Sequence, residues 1–378
     1  MYSSPCPDRL PDFSLFDRRA REGETLRVAF LGGSLTWGAQ ATDPQKTSYR
    51  ALVGRKLWET YPLARFEFHD AAIGGTGSQL AAFRLERDVL VHRPDLVFLD
   101  FTINDDAHAP PHRHRVAAYE SLVRRLILHG AAVVQMILPA KRDVGPHPVP
   151  RPLDVRHKEI GAAYGLPVAD AVDLARRRVR EGHTTADVLW DVPDDPTHPG
   201  DAGYALYAEA AWDAFTHAVE SRRKCRLPET MLSDPWYMSV GRFRLTTLAC
   251  PPEGWQPGRP HRNAIAYDFI CSRWMDDLLV ARDSARPLRL RFRGGDVLLF
   301  GEQTRTSGDY AVRIDGGEPR LYPAQCAEGN MRLVQVVAEG LDLEGEHEIE
   351  IAPLLKNGQE LRLESVCVAG GPAGVVAG

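Results

Sequence analysis

Between Leu26 and about Ala218, short apolar runs bounded by Gly, Pro and Asp alternate with longer segments whose apolar residues recur at helical spacing. This is the pattern of strand-and-helix units built around a parallel sheet. It predicts strands at Leu26–Leu31, Arg65–Ala71, Leu96–Thr102, Ala132–Leu138 and Leu166–Asp170, most of them apolar enough to be covered on both faces. The helices predicted between them are Ser48–Tyr61, Gln79–His92, Arg113–His129, Arg156–Tyr164, Val172–Glu181 and Asp201–His217, the last opening on an acidic start signal after Pro199 and Gly200. Past Arg222 the period changes. Segments such as Leu288–Phe292, Val297–Phe300, Tyr310–Ile314 and His347–Ile351 alternate apolar and polar residues between Gly and Asp turns, which predicts an all-β sandwich or jelly roll. The reading is an α/β domain over residues 1–222 with an N-terminal extension at 1–24, a linker at Ser221–Glu229, and a β-sandwich accessory domain over 230–370. The Gly- and Ala-rich tail Ala369–Gly378 is expected to be mobile.

Composition narrows the function classes. The chain has 378 residues, 44% apolar and 26% charged, which suits a two-domain globular protein and excludes a disordered or fibrous one. A net charge of −5 gives no general attraction to nucleic acid or to an anionic membrane, so neither is expected as a partner. Met1–Phe16 carries prolines and charges where a secretory signal needs an apolar core, and no run approaches the length of a membrane span. The expected location is cytoplasmic, unless a leader has been removed. None of the six cysteines forms a Cys-x-x-Cys pair, so free thiols are expected, with room for one bridge from Cys225 onward. The cluster His108, His112 and His114 reads as surface histidines, and no metal is expected.

Four segments carry candidate chemistry. The first strand runs into Gly32-Gly33-Ser34-Leu35, which puts a serine hydroxyl on a glycine turn at the carboxyl end of a strand, the edge where open parallel sheets bind ligands. Neither a phosphate-loop nor a dinucleotide-binding glycine pattern is present, and an ordinary strand-to-helix turn accounts for the glycines equally well. Gly74-Gly75-Thr76-Gly77-Ser78 follows the second strand and can aim amides at the same edge. The third strand ends in Thr102-Ile103-Asn104-Asp105, where Asn104 offers a side-chain donor, although Asn-Asp is also a common turn. Asp195-Pro196-Thr197-His198 places a carboxylate three residues before an imidazole on a proline-stiffened loop, the spacing that a base and its orienting partner need.

In this order and spacing, over about Leu26–Ala218, the four segments resemble the four blocks of the SGNH hydrolases, the GDSL esterase and lipase family. The resemblance implies a flavodoxin-like three-layer fold, no cofactor, Ser34 as nucleophile, and His198 and Asp195 as the rest of a triad. It also implies an oxyanion hole made by the Ser34 amide, the Gly75 amide and Asn104. The match has departures: Gly33 stands where the family has Asp, and Thr102 stands where it has Gly. The second block fits in two registers, Asp70–Gly75 and Ala72–Gly77, and the first is preferred, with Gly77 in reserve.

Trp37, three residues after Ser34, is the candidate for lining the substrate groove, with Gly77 beside it. Trp236, Trp255 and Trp274 are candidates for stacking on sugars, against their reading as core aromatics. The function expected is removal of acetyl groups from O-acetylated sugars or oligosaccharides. The alternatives are a lipolytic or thioester hydrolase and a catalytically silent carbohydrate-binding protein. The sequence carries no signal of oligomeric state.

Overall fold

The computed structural model describes residues 10–261, 275–282, 285–327, 330–372 and 374–377, which divide into two compact units meeting at Asp234 and Pro235.

The first unit is a five-stranded parallel sheet flanked by helices, as the alternating pattern requires. In chain order its elements are α1 (Phe13–Arg21), β1 (Thr25–Gly32), α2 (Ser34–Trp37), α3 (Tyr49–Thr60), β2 (Arg65–Ala72), α4 (Ser78–Asp88), β3 (Leu96–Leu99), α5 (Arg113–Leu128), β4 (Ala132–Ile137), α6 (Pro152–Ala163), β5 (Val168–Asp170), α7 (Ala171–Arg180), α8 (Ala186–Leu189) and α9 (Asp201–Glu220). The strand order is β2-β1-β3-β4-β5. Gly32 at the end of β1 pairs with Ala72 of β2, and Leu31 with Leu99 of β3, so the loops after these three strands leave the sheet side by side. β3 and β4 are buried throughout, which explains their unbroken apolar sequence.

Three departures from the expected elements have physical causes. The segment read as an extension contains α1, capped by Asp12, whose Phe13 and Phe16 pack edge-on against Phe215 of α9. Two aromatics at i and i+3 are the helical signal there. β3 stops at Leu99: the Asp100 amide still donates to the Leu31 carbonyl (3.0 Å), but its side chain accepts hydrogen bonds from the Thr102 amide and hydroxyl as the chain turns away. α6 starts at Pro152, a residue that suits a first helical position because its missing N–H would be unpaired there.

The second unit contains β6 (Val240–Arg244), β7 (Trp255–Gly258), β8 (Leu278–Ala281), β9 (Leu288–Arg293), β10 (Asp296–Gln303), β11 (Asp309–Ile314), β12 (Arg320–Tyr322), β13 (Met331–Ala338), β14 (Glu346–Leu354), β15 (Leu361–Ala369) and β16 (Gly374–Ala377). They form two antiparallel sheets, β13-β10-β15-β8-β7 with β6 beside β15, and β12-β11-β14-β9-β16. Inward residues of both sheets, among them Leu290, Phe292, Leu299, Ile349, Leu363 and Val366, make one core. This is the sandwich expected from the alternation. The tail read as mobile supplies β16, which pairs antiparallel with β9. Trp255 is buried in the core with its indole N–H on the Arg286 carbonyl (2.8 Å), so it is a packing residue; Trp274 lies outside the described residues. Cys225, Cys250, Cys326 and Cys367 are free thiols. Among the described residues no helix is long and apolar enough to cross a membrane.

Candidate active site

β1 ends at Gly32 and α2 begins two residues later, so Ser34 is the first residue of a one-turn helix at the carboxyl edge of the sheet. The first amides of a helix have no carbonyl within it to reach, so the Ser34 N–H is available to a ligand. His198 Nε2 lies 2.8 Å from Ser34 Oγ, and His198 Nδ1 lies 2.8 Å from Asp195 Oδ2. The Asp195–His198 spacing has a local cause: Asp195 Oδ1 accepts from the backbone amides of Thr197 and His198, both at 3.0 Å, which curls the loop until the ring faces the carboxylate. The Lys141 amide donates to the Pro196 carbonyl at 2.8 Å and fastens this loop to the chain after β4.

Burial raises the Asp195 carboxyl pKa, but donation from the His198 amide, the His198 ring and Gln40 Nε2 (3.0 Å) outweighs it and holds the group below its ordinary range. A carboxylate kept ionised beside an imidazole stabilises the imidazolium that forms when the ring takes a proton. The row Ser34–His198–Asp195 can therefore deliver an alkoxide-like nucleophile.

Asn104 meets the same point from the turn after β3. A Cβ built on Gly33 would lie 2.0 Å from Asn104 Oδ1 and 3.5 Å from the Thr76 carbonyl oxygen, so the side-chain amide and the loop after β2 both close on the residue before Ser34. Gly33 has an ordinary negative φ, so what a side chain there would meet is crowding by the end of Asn104 and not backbone strain. Gly33→Ala is expected to leave folding intact, because the end of the Asn104 side chain can give way. It should also lower kcat on p-nitrophenyl acetate by about 10- to 100-fold, because the amide is displaced. A rate within about twofold of wild type would show that Asn104 does not serve the site.

The two glycines of the second block separate in the structure. A Cβ on Gly77 would fall 2.4 Å from Asp105 Oδ1, the oxygen that accepts the Ser78 amide (2.8 Å) at the start of α4. Gly77 is thus explained by packing. Gly75 is exposed with a φ of 66°, a left-handed turn that glycine adopts without strain. Trp37 ends α2, half-buried, with its carbonyl held by Arg50 Nε at 3.2 Å. Asp70 pairs with Arg50 Nη2 at 3.2 Å.

Beneath the edge lies a buried polar floor that sequence reasoning missed. Asp100 accepts from Thr36 Oγ1 (3.4 Å) and from Thr102 Oγ1 (3.2 Å), and Thr36 shares a hydrogen bond with the Tyr49 hydroxyl. Thr102 Oγ1 also accepts the Leu138 amide (3.3 Å), so the Thr in place of the family's Gly stitches the ends of β3 and β4. Burial pushes the Asp100 carboxyl up to about 6. It pushes Asp105 up to about 7, against the hydrogen bonds from Ser78 and the pull of Arg115. A folded carboxyl that keeps its proton above the unfolded value of about 3.9 binds more protons than the unfolded chain, so stability falls as pH rises through that window. Asp105→Asn keeps an acceptor for Ser78 and does not titrate. Its melting temperature relative to wild type is expected to be higher at pH 8 than at pH 5; an equal difference at both would mean that Asp105 carries no such penalty.

A hydrogen-bonded Ser–His–Asp row on the carboxyl edge of an open parallel sheet belongs to the serine hydrolase class. Residues 30–206, all in the first unit, match the GDSL-like Lipase/Acylhydrolase family, and the chain is a carboxylic ester hydrolase. Two solved structures are similar over nearly the whole chain. One is a two-domain esterase (CEX) active on acetylated mannans, 23% identical with a TM-score of 0.78 over 95% of both chains. The other is such an esterase co-crystallised with mannopentaose, 22% identical with a TM-score of 0.78, over 98% of this chain and 99% of that one. At these identities the likeness is one of fold. No curated protein matches the sequence.

Proposed function

We propose that this chain is a serine esterase that removes acetyl groups from O-acetylated sugars or oligosaccharides. The observation that carries the reading is the continuous row of hydrogen bonds from Ser34 Oγ through His198 to Asp195, at 2.8 Å each. His198 takes the Ser34 proton as the oxygen attacks the ester carbonyl. The oxyanion is received by the Ser34 and Gly75 amides and by Asn104. His198 then returns the proton to the leaving sugar hydroxyl, and a water activated by the same ring releases acetate. The carbohydrate part of the reading is supported by the two-domain fold shared with an esterase active on acetylated mannans.

The test is a panel: p-nitrophenyl esters from acetate to decanoate, an acyl thioester, and acetylated manno- and xylo-oligosaccharides with released acetate as readout. The expected result is a maximum at acetate and release from at least one oligosaccharide. A maximum at long acyl chains or on the thioester would overturn the acetylesterase reading. The silent binding protein is the outcome in which the sugar is bound and no ester is cleaved.

A further inference from the structure

The segment after the nucleophile helix is fastened to the His198 arm at three successive points. The Tyr204 hydroxyl donates to the Ala39 carbonyl at 2.6 Å. Gln40 Nε2 donates to Asp195 Oδ2 at 3.0 Å. Thr42 donates through its amide (2.9 Å) and its hydroxyl (2.5 Å) to the Asp201 carboxylate at the start of α9. The outer two anchor the segment, and the middle one reaches the Ser–His–Asp row itself.

Gln40 holds that bond at a backbone cost. Its φ is 68°, in the left-handed region where a residue with a Cβ is strained and glycine is not. A turn alone would be better served by glycine at this position, and a non-glycine residue kept in a strained conformation beside a site points to a use for its side chain. The use is geometric. Asp195 Oδ1 is pinned by the Thr197 and His198 amides, which leaves Oδ2 to swing. His198 Nδ1 meets Oδ2 at 2.8 Å, and Gln40 supplies the second donor to the same oxygen. A neutral amide does this without setting a fixed positive charge against the imidazolium, as an Arg or Lys would.

We propose that Gln40 is a positioning residue that fixes Asp195 Oδ2 against His198 Nδ1. The proposal rests on the serine-esterase reading above.

Gln40→Gly separates function from folding, because it deletes the donor and relieves the backbone together. The expected result is kcat on p-nitrophenyl acetate lower by about 10- to 100-fold, KM within about twofold, and a melting temperature at or above that of wild type. Gln40→Glu keeps the side-chain length and sets a carboxylate against a carboxylate, so its loss should be at least as large; it carries the test if the glycine variant does not fold. In an Asp195→Ala background, Gln40→Gly should cost nothing further, because its effect passes through the missing carboxylate. The proposal is overturned by a kcat within about twofold of wild type, by a raised KM at unchanged kcat, or by the same fractional loss in the Asp195→Ala background. Failure of the underlying reading looks different: Ser34→Ala would then keep the wild-type rate, whatever Gln40 does.

Discussion

Ser34→Ala is expected to lower kcat on p-nitrophenyl acetate by about 10⁴-fold or more, with the melting temperature nearly unchanged. The size follows from the absence of a second route: without Oγ there is no atom to carry the acyl group, and what remains is binding plus the oxyanion donors. The stability claim follows from exposure. Ser34 makes its hydrogen bond to a ring that is 21% exposed, so water can take the vacated place and no buried polar group is stranded. The two measurements belong together, since a lost rate in an unfolded variant says nothing about Ser34. A rate within about tenfold of wild type would remove Ser34 as nucleophile and leave the carbohydrate-binding alternative in front.

How far this site was legible depends on whether each residue acts through its type and spacing or through a contact made only in three dimensions. Ser34 after a strand with Gly-Gly, and Asp195 three residues before His198, are local arrangements, and their local geometry follows from the Asx-type turn at Asp195 and the one-turn helix at Ser34. The sheet was legible because strands covered on both faces need unbroken apolar runs. Gly75 and Gly77 were not separable in sequence: both open the same turn, and the distinction lies in Asp105, in the turn after β3, packing on Gly77. Asp100 did leave a trace, a charge interrupting the apolar run Leu96–Phe101, but that run also reads as a strand end. Gln40 left none. Its partner is 155 residues on, and glutamine has no preference for left-handed backbone that would mark the position. The tail was misread because Gly and Ala compose loops as readily as they compose β16, whose place depends on the edge that β9 offers.

Asp195→Asn is expected to lower kcat by about 10³- to 10⁴-fold, a larger effect than removal of one oxyanion donor and one that size and shape alone would not predict. Every partner of the Asp195 side chain is a donor: the Thr197 and His198 amides on Oδ1, the His198 ring and the Gln40 amide on Oδ2. A carboxylate satisfies both pairs. An asparagine has one oxygen, so its NH2 must face two donors whichever way it turns. If the oxygen keeps the backbone amides, the NH2 faces His198 Nδ1 and favours the tautomer with its proton on Nε2. That nitrogen then donates to Ser34 Oγ and has no lone pair for the serine proton. If the oxygen turns to the ring, the NH2 opposes the two amides that curl the loop, and His198 moves off Ser34. Both outcomes disable the base while leaving Ser34 and the oxyanion donors in the chain. KM for p-nitrophenyl acetate should therefore change little, and kcat should carry the loss. A variant that keeps more than about a tenth of the wild-type kcat would mean that Asp195 does not set the tautomer of His198.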